Sequence, residues 1–190
     1  MKNLITKFTL AVVAIAFVST TVLAGSSDKE KTKMVGGAAM YPSKDIVDNA
    51  VNSKDHTTLV AAVKAAGLVE TLKSAGPFTV FAPTNEAFTK LPAGTVETLL
   101  KPENKATLTK VLTYHVVAGK MDAAALSKAI KAGKGKATLK TVAGGTLVAS
   151  MKGNDIILTD ENGGVSTVTI ADVYQKNGVI HVINSVVLPK

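Results

Sequence analysis

The stretch Gly76–Phe88, GPFTVFAPTNEAF, limits the folds open to this chain more than any other. Phe78, Thr79, Val80 and Phe81 are aromatic or β-branched and predict a buried strand. Pro77 stands at its entry, where a missing N–H costs little, and Pro83 stops the ladder because it cannot donate. Thr84 follows as an N-cap whose hydroxyl can accept from the first helical turn. Glu86 then lies near the positive end of the helix dipole. Ala87, Phe88 and Leu91 continue that helix with a face to bury. An apolar strand feeding directly into a capped helix places both on one core. The stretch is a folding device rather than an active site.

The rest of the chain supplies the core. It has 190 residues, 46% of them apolar, which suits one globular domain. Cysteine is absent, so disulfides, thiolate metal sites and thiol nucleophiles are excluded. The net charge is +8, yet all 22 basic residues are Lys. Without the planar Arg fork, and with few aromatic rings to stack on, a nucleic-acid partner is not expected.

Met1–Ala24 has a basic start (Lys2, Lys7), a short apolar run (Leu10–Val18) and small residues before Gly25. It is expected to be a cleaved secretory signal peptide, placing the protein in the periplasm or outside the cell with no stable membrane insertion. Residues 25–42 show neither helical nor strand period and are expected to be a flexible lead-in; residues 43–190 form the domain. Ser43 is the expected cap of a first short helix. A second helix, starting at Asp55 or Thr57, ends at Gly67. More helical turns surround Val96–Leu100 and Leu108–Leu112. Tyr114–Val117, YHVV, reads as strand, and Asp122 caps a helix running to about Ala132. From Lys136 the period changes to two, with turns at Gly144-Gly145, Gly153-Asn154 and Asn162–Gly164. Helices first and hairpins afterwards argue for an α+β fold.

Three stretches together resemble the fasciclin domain family: TVFAPTNEAF at 79–88, YHVV at 114–117 and NGVIHVINSVVLP at 177–189. The resemblance covers roughly Ser43 to Pro189. It implies a β-sandwich-like wedge of two sheets with several helices packed at one end. It also implies an extracellular, non-catalytic role in adhesion, toward a cell-surface or matrix protein or polysaccharide. Two positions depart from the family pattern. Asn85 stands where Asp is frequent, and the turn is expected to survive. Ile170–Tyr174 stands where animal members carry Glu-Pro-Asp-Ile-Met, an adhesion segment of which only Asp172 is kept.

The candidate binding residues are therefore Tyr114 and His115, which match the family's tyrosine–histidine motif, and Asp172. Each also has a structural reading: Tyr114 packed with its hydroxyl bonded, His115 satisfying a backbone carbonyl. His181 is expected to be a hydrogen-bonded structural residue and His56 a surface one. Lys120, Lys128, Lys131, Lys134, Lys136 and Lys140 form a candidate electrostatic patch for anionic glycans or lipids, or else a solvated face. Gly133–Thr138 superficially resembles a phosphate loop but lacks the upstream Gly, and Ala137 stands where Ser or Thr must hold the metal. Asp160–Gly164 lacks the spaced ligands of a calcium loop and is expected to be a hairpin turn. With no catalytic constellation, the chain is expected to be a monomer with no enzyme activity, metal or cofactor; an unrecognised hydrolase is the distant alternative.

Overall fold

A computed structural model describes residues 32–190. The expected signal peptide and residues 25–31 lie outside the described residues. The described chain opens with a hairpin, β1 (Lys33–Val35) and β2 (Ala38–Met40). This corrects the flexible lead-in expected to reach residue 42. The strands are too short to show a period, but Val35 and Met40 bury their side chains against the helices.

Helix α1 (Ile46–Ala50) follows, capped by Asp45 rather than Ser43: the Asp48 N–H donates to Asp45 Oδ1 at 2.8 Å. A 3₁₀ turn at Lys54–His56 leads into α2 (Thr57–Ala66), which ends at left-handed Gly67 as expected. After α3 (Val69–Lys73) comes the organising strand, β3 (Phe78–Pro83). It passes into α4 (Asn85–Thr89) through the Thr84 cap, whose hydroxyl oxygen accepts the Ala87 N–H at 3.2 Å. Then come α5 (Thr95–Leu100), α6 (Lys105–Tyr114), β4 (Val116–Ala118) and α7 (Ala123–Ala132), the last capped by Asp122. Tyr114 and His115 are thus the last residue and the C-cap of a helix, and only Val116–Ala118 is strand. The hairpin half holds β5 (Lys136–Lys140), β6 (Thr146–Lys152), β7 (Asp155–Thr159), β8 (Val165–Gln175) and β9 (Gly178–Ile183).

Seven strands form one sheet in the order β4-β3-β9-β8-β7-β6-β5. β3 and β9 run parallel in its interior, and both are buried almost throughout. β8 spans both halves and carries irregular register between Val168 and Val173, where the sheet bends. The bend brings the two edges together: Val117 bridges Thr141, and the Val142 N–H donates to the Val116 carbonyl at 2.8 Å. The expected two-layer wedge is this single sheet folded on itself. It encloses an inner core of Phe81, Tyr114, Leu126, Leu147, Leu158 and Ile183. The opposite face of β3 and β9, through Val80, Ala82, Ile180 and Val182, packs on α1, α2 and α6 in a second, helical core.

Candidate functional site

Tyr114 and His115 are adjacent in sequence, and both are buried, at 0% and 3% exposure. The Tyr114 hydroxyl donates to the Thr146 carbonyl at 2.6 Å and accepts the Glu161 N–H at 3.2 Å. Its ring lies so close to Gly145 that a Cβ there would sit 2.8 Å from Cε2. His115 Nδ1 lies 2.8 Å from the Val111 carbonyl, and Nε2 lies 3.2 Å from the Val187 N–H. A carbonyl can only accept and an amide can only donate, so the ring is neutral with its proton on Nδ1. Full burial agrees, pushing the His115 pKa down to about 4. Every polar atom of the pair is already committed, so neither side chain presents a group to a ligand.

Asp172 sits on the bent part of β8 with φ 57, a left-handed conformation unusual for a non-glycine residue. Its Oδ1 accepts the Ala123 N–H at 2.7 Å, so Asp172 and Asp122 both cap the start of α7. The Asp172 N–H points to His181 Nδ1 at 3.4 Å, while His181 Nε2 donates to the Met121 carbonyl at 2.8 Å. His181 is fully buried, stacks on Phe81 at 5.6 Å between centroids, and is structural as expected. The Tyr114–His115 pair therefore fastens the turn before β6 and the C-terminal segment, whereas Asp172 fastens α7 to β8.

The patch lysines are all exposed. Lys128 and Lys131 lie on α7, Lys134 in the following turn, and Lys136 and Lys140 on the outward face of β5. Lys120 covers the Tyr174 ring at 4.7 Å, and the Tyr174 hydroxyl donates to Asp122 Oδ2 at 3.3 Å. Between residues 123 and 154 there are six Lys and no Asp or Glu. The described chain has 18 Lys against 12 Asp and Glu, so this segment holds an excess equal to that of the whole domain. β5 is also an edge strand, where lysines discourage pairing with another sheet.

Three residues act in ways the sequence did not disclose. His56, expected at the surface, is 3% exposed; Nδ1 lies 2.8 Å from Ser53 Oγ, and Nε2 has no hydrogen-bond partner. The Ala82 carbonyl is near enough to favour the protonated ring, but desolvation dominates and lowers its pKa. Asn85 caps α2 from outside: Oδ1 accepts the Thr58 N–H at 3.0 Å, and Nδ2 donates to the Lys54 carbonyl at 2.8 Å. An Asp could not make the second bond. Glu161, in the turn after β7, accepts from the Thr146 and Lys190 amides, which hold its carboxyl below the usual range. Asp160–Gly164 is a hairpin turn as expected, with Asp160 Oδ1 accepting the Asn162 and Gly164 amides. Among the described residues no group of three or more His, Cys, Asp or Glu is placed to hold a metal ion.

Comparison with known proteins decides the family. The family model for the Fasciclin domain matches residues 54–189. The chain belongs to the fasciclin domain family. It is 47% identical over 174 residues to protein sll1483 of Synechocystis, covering 90% of this chain and 87% of that protein. It is 37% identical over 148 residues to immunogenic protein MPB70 of Mycobacterium bovis, covering 74% and 66%. It is 35% identical over 148 residues to transforming growth factor-beta-induced protein ig-h3 of Sus scrofa, covering 78% of this chain but 20% of the larger protein. The structure of a fasciclin domain pair from the insect cell adhesion molecule fasciclin I aligns with TM-score 0.68 at 18% identity, over 78% of this chain and 52% of that one. That likeness shows the fold. Among the described residues no helix is long and apolar enough to cross a membrane.

Proposed function

We propose that this fasciclin domain is a secreted, non-catalytic binding module of the adhesion type, recognising a cell-surface or matrix component. One observation carries this reading. The polar side chains that line the fold's centre, Tyr114, His115, Asp172 and His181, all bond to the protein's own backbone. They are spent on rigidity, which leaves recognition to the outer surface. The family and the adhesion molecule that shares the fold support the same conclusion. The test is binding of the folded protein to immobilised cell-surface and matrix preparations. Saturable binding is expected. Absence of binding to every preparation, with a deletion strain adhering normally, would overturn the reading.

The charge distribution favours a second reading, in which the Lys120–Lys140 region holds anionic glycans or lipid headgroups. Exposed lysines act over roughly a Debye length, about 8 Å at physiological salt. Affinity for heparin-like glycans or anionic vesicles should therefore fall steeply as salt rises. Replacing Lys128, Lys131, Lys136 and Lys140 by Gln should abolish it. A flat salt dependence removes this reading and leaves the first one standing.

A further inference from the structure

The folded sheet closes on itself at one end only. Its two edge strands, β4 and β5, meet where Val117 bridges Thr141 and the Val142 N–H reaches the Val116 carbonyl. The ladder does not continue from that bridge. An open groove of about 450 Å³ lies there instead, with Ala118, Met121, Ala129, Thr138 and Lys140 among its walls. Along Lys136–Lys140, β5 pairs with β6 alone. Across that pair the Thr141 N–H donates to the Gly145 carbonyl at 2.9 Å. Backbone groups alternate sides along a strand, so the N–H and C=O of Lys136, Thr138 and Lys140 point away from β6. The Gly133 carbonyl takes the Lys136 N–H at 3.3 Å. Thr138, at the middle of the strand, keeps both groups on the open edge.

We propose that this edge binds an acidic polypeptide segment in extended form, as an added strand beside β5. The proposal rests on the reading of the domain as a binding module and names the chemistry of its partner. Open sheet edges accept a further strand through main-chain bonds, while alternate side chains set specificity. Ala137 and Leu139 are buried, whereas Lys136, Thr138 and Lys140 are exposed on the other face of β5. Residues of the added strand opposite Lys136 and Lys140 share the lysines' face. Opposite charges at such facing positions stabilise a strand pair, and like charges oppose it. The lysines that discourage indiscriminate pairing thus admit a strand of opposite charge. The surroundings reinforce that choice, since residues 123–154 hold six Lys and no Asp or Glu.

A second copy of this chain is the wrong partner. Antiparallel pairing of two β5 strands about Thr138 would set Lys136 against Lys140. The residues of the added strand between its acidic positions turn to the side of Ala137 and Leu139, where Met121 and Ala129 border the inner core. Apolar side chains fit there. The recognised pattern is therefore acidic, apolar, any residue, apolar, acidic.

The test is an NMR titration of the full protein with the capped peptide Thr-Glu-Val-Thr-Val-Glu-Thr, its counterpart with Lys for Glu, and a heparin fragment. The Glu peptide should give saturable amide shifts at Ala118, Thr138 and Lys140. It should bind about tenfold more tightly than the Lys peptide. With the Glu peptide at about ten times its Kd, hydrogen exchange of the Thr138 amide should slow about tenfold, because that amide then exchanges only from free protein. Lys136→Glu with Lys140→Glu should reverse the preference between the two peptides. Wild-type protein with no saturable shift on β5, with both peptides bound equally, or with the Glu peptide bound and Thr138 exchange unchanged overturns the proposal, whether or not the variant folds. Binding of the heparin fragment in place of the Glu peptide overturns it as well and assigns the lysines to a glycan. Binding to matrix preparations that persists after such a result leaves the binding-module role in place.

Discussion

The core inside the folded sheet and the core beneath the helices are built to different standards. The inner core seals Phe81, Tyr114, Leu126, Leu147, Ala149, Leu158 and Ile183 completely from solvent. The polar groups at its border, on Tyr114 and His115, are paired. No member of the helical core is completely sealed, and that core contains a cavity of about 80 Å³. The contrast teaches that burial alone does not mark a site. The sequence motif that drew attention, Tyr114-His115, is buried and saturated. His56, expected at the surface, is buried, with Nδ1 paired to Ser53 and Nε2 without a well-formed hydrogen bond.

The largest expected difference between the cores comes from truncation. Leu126→Ala should cost about 4 kcal/mol, because the closed sheet cannot collapse onto the void. Leu59→Ala should cost about 2 kcal/mol, since α2 can settle toward the sheet. Equal losses in urea unfolding would show that the two cores are equally rigid.

Acid sharpens the same comparison. The His115 pKa is near 4 in the folded state, below the usual 6.5. As pH falls below about 6.5 the unfolded chain takes up the proton first. Stability is therefore complete above that pH and declines as pH falls toward 4, by roughly 3 kcal/mol in all. His56 and His181 shift in the same direction. Urea midpoints at pH 7 and pH 5 should fall accordingly, and His115→Gln should flatten much of the slope. An unchanged slope in that variant would remove His115 as its main source.

Tyr114→Phe comes next. It strands the Thr146 carbonyl and the Glu161 amide and should cost about 2 kcal/mol with little change in shape. A loss below about 0.5 kcal/mol in the same assay would mean water replaces the hydroxyl and the border is less sealed than described. The smallest effect is overpacking. Val63→Leu should be neutral or stabilise by up to about 1 kcal/mol by entering the cavity. Ala149→Val in the inner core should cost at least about 1 kcal/mol. If both cost the same, the space beneath the helices is not available to a side chain.

The fold was legible where the signals are local. Thr84, Gly67, Asp122 and the paired-glycine turns mark their elements through chemistry confined to a few residues, and the structure places them as expected. The hairpin at Lys33–Met40 was not legible, because its strands are held by a distant helix surface that no local period reveals. Tyr114 reads as strand from its neighbours, yet belongs to the helix it terminates. His56 illustrates the general reason. Its burial depends on Ser53 three residues before it and on Gly36 and Ala82 at longer range, and only the first lies within local reach. Asn85 likewise reads as a helix-start residue, while its side chain serves the next helix over.

The bonds of the C-terminal segment have a mechanical meaning. The amides of Val187, Leu188 and Lys190 are held by His115, Asp160 and Glu161. Behind them lies β9, flanked on one side by parallel β3 and on the other by antiparallel β8. Tension applied through residues 185–190 loads those anchors first, one after another, like the teeth of a zip. Once they part, the load reaches a strand locked on both edges, which must shear along its whole length rather than peel. The domain therefore yields in two stages, a soft one at its margin and a stiff one at its centre.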